Sequence, residues 1–126
     1  MTETWQQIAH LADRLEEHST LPREQRILLQ LLKIQEEAGE VAEAVIGAMG
    51  QNPRKGHSHT WEDVEAEVCD VIVTGMVALS RMNPEAATVF ARHMEGVVAR
   101  DLNKTGKAEK AKEAKEAEKA KEATDW

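Results

Sequence analysis

Apolar positions recur along most of this chain three and four residues apart, the spacing of an α-helix and not of a strand. Trp5, Ile8, Leu11, Ala12 and Leu15 predict a first helix over Glu3–Glu17, with Thr2 as its cap. Ser19 to Pro22 interrupt it. A second helix is predicted over Arg23–Met49, with Leu28, Leu31, Leu32, Ile34, Val41, Val45 and Met49 on one broad apolar face. At 100° per residue, Lys33, Glu36, Glu37, Glu40 and Glu43 fall within roughly 120° of arc on the other side. The segment Gly50–His59 reads as the main loop. Thr60-Trp61-Glu62-Asp63 then reads as a capped start for a third helix over Trp61–Ser80. Asn83-Pro84 opens a fourth, over Pro84–Leu102.

Four helices with short connections predict an all-α fold resembling a four-helix bundle, with the second and third helices antiparallel. One core domain is expected over residues 1–103. The remainder, 104–126, is an Ala/Lys/Glu tract with almost no apolar residue except Ala and Trp126, and is expected as a solvated, partly helical tail. The third helix is apolar over most of its surface, so a bundle this small is expected to bury more area by forming oligomers.

Two acidic clusters break the apolar pattern. Glu36-Glu37-Ala38-Gly39-Glu40 lies on the second helix and Glu67-Val68-Cys69-Asp70 on the third. Glu37 and Glu40 share a helix face, as do Glu67 and Asp70. Asp70 is the only charge between Val68 and Leu79, where burying a carboxylate is costly without a cation. Antiparallel packing brings the two clusters face to face, and four convergent carboxylates suit a hard divalent cation, Mg²⁺ above all. Gly39 lies within the first cluster, where the lack of a side chain lets a ligand or a helix come close.

Charge narrows the function classes. The net charge is −7, all of it carried by residues 1–100, which hold 9 basic and 16 acidic side chains. An acidic core does not suit a nucleic-acid backbone. The single Cys69 excludes an internal disulfide and is expected in the core of the third helix. The first residues lack the features of a signal peptide, and no apolar run approaches the roughly 20 residues of a membrane span. A cytoplasmic protein is expected.

Other residues offer chemistry around the carboxylates. Arg54 and Lys55 in the main loop can clamp phosphates or serve as ordinary loop residues. His57 and His59 are expected as surface residues, without the partner spacing of a zinc site. Trp61 can stack on a nucleobase or plug a helix start, Trp5 fits the core, and Asn52 fits a turn. A di-iron or di-manganese carboxylate bundle would need Glu-x-x-His pairs, but Gly39 and Asp70 stand at the i+3 positions from Glu36 and Glu67.

The order Glu-Glu-x-x-Glu, 26 intervening residues, then Glu-x-x-Asp resembles the signature of the MazG-like, all-α nucleoside triphosphate pyrophosphohydrolases. Lys33–Ala44 is similar to the first motif of that family along its whole length, and Glu65–Ile72 resembles the second. The resemblance covers residues 25–100. It implies a helical core forming dimers or tetramers and Mg²⁺-dependent cleavage of a nucleoside triphosphate, ribo or deoxyribo, between the α- and β-phosphates. Mn²⁺ is the expected substitute ion. It further implies that Glu37, Glu40, Glu67 and Asp70 are metal ligands. Glu36 can bind a second metal or orient the attacking water, and Lys33 can pair with a carboxylate or a phosphate. Arg100, Asn103 and Lys104 stand nearest to the phosphate-contacting residues of the family, although Gly96, Val97 and Val98 replace expected polar positions. The same fold without turnover would be a nucleotide- or metal-binding protein.

Overall fold

The computed structural model describes residues 2–124. They form four helices: α1 (Glu3–His18), α2 (Arg23–Ala48), α3 (Trp61–Met82) and α4 (Ala86–Thr124). Among the described residues there is no strand, only an isolated bridge between Asn52 and Gly56. The fold is all-α. Contacts divide the chain into two units, residues 1–87 and 88–126.

In the first unit, α3 packs chiefly on α2 and next on α1. Partners on α2 and α3 run in opposite directions: Arg23 reaches the Arg81 carbonyl, Gln30 the Thr74 carbonyl, and Glu37 meets Glu67 and Asp70. The hairpin is antiparallel, as its loop length implies. The start of α3 is fixed by a reciprocal capping box. Thr60 Oγ1 accepts from the Asp63 backbone N–H at 3.2 Å, and Asp63 Oδ2 accepts from the Thr60 N–H at 2.8 Å. The Thr60 N–H bond is the largest cause that holds the Asp63 carboxyl below its usual value. The Thr2 side chain, by contrast, makes no capping bond to α1.

The connection between α2 and α3 turns tightly back over the end of α2. Gly50 adopts φ +69°, and a side chain there would collide with the His57 ring. A side chain at Gly47 would collide with His59, whose Nδ1 lies 2.8 Å from Ser58 Oγ. Asn52 Oδ1 accepts from the backbone N–H groups of Arg54 and Lys55, each at 3.0 Å, which is the turn role expected of it. Both histidines are therefore packing elements of this loop.

The buried apolar residues are mostly small, with Ile8 and Val77 the larger ones among them. Ile8 and Ala12 of α1 meet Val77 of α3, with Trp5 and Met76 packed against them, while Ala44, Gly47, Ala78 and Ala86 are buried elsewhere. The broad apolar face expected of α2 is not a buried face within one chain: Leu28, Leu31, Leu32 and Met49 are exposed. Cys69 is likewise exposed, not a core residue, and so is Asp70. Their apolar neighbours Val68, Ile72 and Val73 face out with them, so an apolar sequence around Asp70 does not bury it.

A polar clamp ties the three helices of this unit together. The Arg81 side chain is only 7% exposed; its Nε donates to Glu16 Oε1 at 2.9 Å and its Nη1 to Gln30 Oε1 at 2.8 Å. Arg26 Nη2 adds a 2.7 Å ion pair to Glu16 Oε2. Arg81→Leu is expected to destabilise the fold by about 2 kcal/mol in urea denaturation, less than a fully buried pair because Glu16 remains partly solvated. Arg81→Lys is expected to recover little, because an ammonium cannot reproduce the two-directional fork.

The second unit is the 88–124 stretch of α4. The helix was expected to end near Leu102 and instead continues to Thr124. The tract from Lys104 has Ala at every third position from Ala108 to Ala123 and otherwise mostly Lys and Glu, all compatible with a helix, and no Pro to stop it. Its side chains are exposed, as are Val89, Met94, Val97, Val98 and Leu102. Trp126 lies outside the described residues. No helix among the described residues is long and apolar enough to cross a membrane.

Candidate functional site

Three of the four expected metal ligands converge. One carboxylate oxygen from each of Glu37, Glu67 and Asp70 lies within 4.8 Å of the others. Two oxygens on opposite sides of an octahedral Mg²⁺ are about 4.2 Å apart, twice the usual bond length, so small rotamer shifts close the set onto one ion. Glu40, one turn further along α2, is not part of this triad but stands beside Glu37. Its charge and hydrogen bond both act on the Glu37 carboxyl.

Helix geometry explains the convergence. Glu37 and Glu40 are three residues apart on α2, and Glu67 and Asp70 three apart on α3, so each pair occupies one face. The antiparallel register places those faces opposite each other. Nothing lies within 4 Å of where a Gly39 side chain would be, so that glycine leaves space beside the cluster.

The electrostatics are those of a site lacking positive charge. The Glu37 side chain is 15% exposed, and its carboxyl is pushed above its usual value. Desolvation contributes most, then the charge and hydrogen bond of Glu40; Lys33 opposes the shift and Asp70 adds to it. Glu67 carries the sharpest sign of a missing partner: its Oε2 is buried and accepts no hydrogen bond. An ionised carboxylate can only accept, so a buried orphan oxygen is costly without a donor or a cation. Oxygen donors alone, one from α2 and two from α3, fit a hard divalent ion and not a soft one.

Lys33 bridges the neighbouring acids, with Nζ 3.3 Å from Glu36 and 3.6 Å from Glu37. This pairing raises the Lys33 pKa, with the Glu36 hydrogen bond as the largest cause. Of the two partners open to Lys33, the protein alone provides the carboxylate. Glu36 faces out at the edge of the cluster. Arg54 and Lys55 are exposed in the loop, and Trp61 is exposed at the first position of α3. Arg100, Asn103 and Lys104 are exposed on the second unit.

Sequence reasoning passed over a polar feature one turn away. A groove of about 560 Å³ between α1, α2 and α3 is lined by Leu15, Leu29, Val73 and Val77 together with Gln30 and Lys33. Gln30 is a buried polar residue, next to the buried Arg81 side chain. Its position within the leucine run Leu28–Leu32 was the available signal.

The raised Glu37 pKa fixes the direction of a pH effect. Protonated Glu37 is a poorer metal ligand, so Mg²⁺ affinity is expected to fall as the pH drops through that raised value, before an ordinary glutamate would titrate. Glu16 has the opposite sign. Desolvation acts to raise it, but Arg81 and Arg26 outweigh this and hold it below 4.5. Its contribution to stability is present above that value and lost as the pH falls through the lowered one. Calorimetric Mg²⁺ titrations between pH 7 and 5 are expected to show affinity declining while the fold remains intact.

No protein-family model, curated protein or solved structure matches the chain.

Proposed function

We propose that this protein is a Mg²⁺-dependent nucleoside triphosphate pyrophosphohydrolase of the MazG-like kind, acting on ribo- or deoxyribonucleotides. The orphan Glu67 oxygen within a cluster of facing carboxylates carries this reading. An acidic cleft can receive a triphosphate only through cations, so charge alone favours a metal-dependent reaction. Glu37, Glu67 and Asp70, with Glu40 beside them, would hold Mg²⁺, or Mn²⁺ in its place. Bound there, the ion would neutralise phosphate charge and make a water molecule more acidic.

The residues of the chain divide the remaining work. Glu36 is placed to orient the attacking water or to help hold a second ion. Attack at the α-phosphorus breaks its bond to the bridging oxygen, giving a nucleoside monophosphate, pyrophosphate and a proton. Lys33 restrains Glu36 and Glu37 and, one turn before Glu37 on α2, would be available to a phosphate. Arg54 and Lys55 would meet phosphates from the loop, and Trp61 would stack on a base.

The functional unit in this reading is a cytoplasmic homodimer or homotetramer of bundle-like cores spanning residues 1–103, with the Ala/Lys/Glu tract as an appended tail. The apolar side chains exposed on α2 and α3 support self-association, because contiguous patches of this kind are seldom left in water.

Chromatographic product analysis over a panel of nucleoside triphosphates, with Mg²⁺, Mn²⁺ or chelator, tests the reaction. Monophosphate and pyrophosphate, lost with chelator, are expected. Diphosphate and orthophosphate would contradict the cleavage position. Metal-dependent binding without any product would favour a non-catalytic nucleotide-binding protein, a reading to which the exposure of Arg54 and Lys55 lends weight.

A further inference from the structure

We propose that Lys33 is a built-in counter-ion of the carboxylate cluster, and that its ammonium gives up Glu37 to a divalent ion and retreats to Glu36, from which it can reach a phosphate. This rests on the metal-dependent reading above and assigns a regulation to that site.

Lys33 Nζ lies between two carboxylates, 3.3 Å from Glu36 Oε2 and 3.6 Å from Glu37 Oε1. Among the described residues no other Lys or Arg pairs with Glu36 or Glu37, and none pairs with Glu40, Glu67 or Asp70. A single positive charge therefore serves the whole cluster, and it serves it incompletely. Of the converging triad, Lys33 meets only Glu37, and the buried Oε2 of Glu67 receives no bond from it. The ammonium offsets part of the repulsion among the acids without satisfying the oxygens that face one another.

Its two seats differ. The Glu36 side chain is 59% exposed against 15% for Glu37, so one seat lies toward water and the other toward the cluster. Lys33 itself is half-exposed on a flexible four-carbon stem, and its ammonium can leave the inner seat without disturbing α2. Divalent charge held by Glu37, Glu67 and Asp70 repels an ammonium beside Glu37, while Glu36 still attracts it. Lys33 thus competes for Glu37 and lowers the affinity of the cluster for metal. Displaced, it is a mobile point charge at the rim, suited to a phosphate oxygen. A phosphate that draws Lys33 off Glu37 favours metal binding in return, because coupling between two sites is reciprocal. A lysine that merely braced Glu37 for the metal would have the opposite effect and raise the affinity.

The test is the Mn²⁺ affinity of wild type, Lys33→Met and Lys33→Arg, read from the free-ion electron paramagnetic resonance signal, with Tm recorded with and without the ion. Met keeps the unbranched stem and the helix propensity of Lys, so the first variant removes little but the charge. Lys33→Met is expected to bind Mn²⁺ about tenfold more tightly than wild type. Lys33→Arg keeps the charge and should stay within about threefold of wild type. Without metal, Lys33→Met should melt below wild type, because the cluster has lost its counter-ion, and saturating Mn²⁺ should close that gap. Equal or weaker Mn²⁺ binding by Lys33→Met would overturn the displacement and leave the metal site standing. So would a tightening in Lys33→Arg as large as in Lys33→Met, or equal melting of Lys33→Met and wild type without metal. Absence of saturable Mn²⁺ binding in all three proteins would overturn the functional reading and this inference together.

Discussion

Glu67→Gln is expected to reduce pyrophosphohydrolase turnover by a factor on the order of a thousand while leaving the helical spectrum unchanged. The amide keeps the size of the side chain but removes the charge a hard cation requires. The metal-free protein should show a second effect of opposite sign. Glu37, Glu40, Glu67 and Asp70 crowd like charges without a facing cation other than Lys33, so neutralising one of them relieves repulsion. Glu67→Gln protein without metal should melt no lower than wild type. In wild type, Mg²⁺ at about a hundred times its Kd should add about 2.7 kcal/mol, a shift of several degrees in Tm. The variant should lose that shift. An acidic surface with no metal role predicts unchanged turnover and no Mg²⁺ response in either protein.

Leu32→Glu and Ile72→Glu are expected to convert the proposed assembly to monomer in analytical ultracentrifugation. Leu32 is 66% exposed and Ile72 55% exposed in the single chain. A charge at either position therefore meets water in a monomer, and surface substitutions of this kind change intrinsic stability by only about 0.5 kcal/mol. Buried at a contact between copies, the same charge would lack a partner and separate the subunits. Leu28 on α2 and Val68 on α3 extend each patch by one helical turn, so both patches are wider than one residue. Wild-type and variant chains that sediment identically as monomers would refute self-association through these faces.

Periodicity was enough to locate α1, α2 and α3, because each carries an amphipathic repeat and a punctuating signal: the Ser19–Pro22 break, the Gly50–His59 loop, the Thr60 and Asp63 box. The facing of Glu37 with Glu67 and Asp70 was legible too, because consecutive helices of a small bundle pack antiparallel across the Gly50–His59 loop and 3.6-residue periodicity does the rest. Burial was less legible. Counting apolar neighbours placed Asp70 and Cys69 inside, but in one chain the interior belongs to small residues such as Ala12, Ala44, Gly47 and Ala78, and the larger Leu28, Leu32 and Ile72 remain outside. Hydropathy measures the tendency to leave water, not which chain supplies the covering surface. The continuation of α4 past Leu102 was missed because loss of apolar periodicity was taken to end the helix, whereas Ala, Lys and Glu sustain one by propensity alone. Gln30 was missed because one amide within a leucine run gives no periodic signal; its role emerged only with Arg81, which is 51 residues away in sequence.

The measurement bearing most directly on the central claim is a titration of Mn²⁺ into the metal-free protein, with free ion read by electron paramagnetic resonance. Mn²⁺ shares the oxygen preference of Mg²⁺ and reports its own binding. Saturable loss of the free-ion signal, reversed by excess Mg²⁺ and abolished in the Glu67→Gln, Asp70→Asn double variant, is the result predicted here. Identical titrations for wild type and the double variant would contradict a metal centre built from the facing carboxylates of α2 and α3.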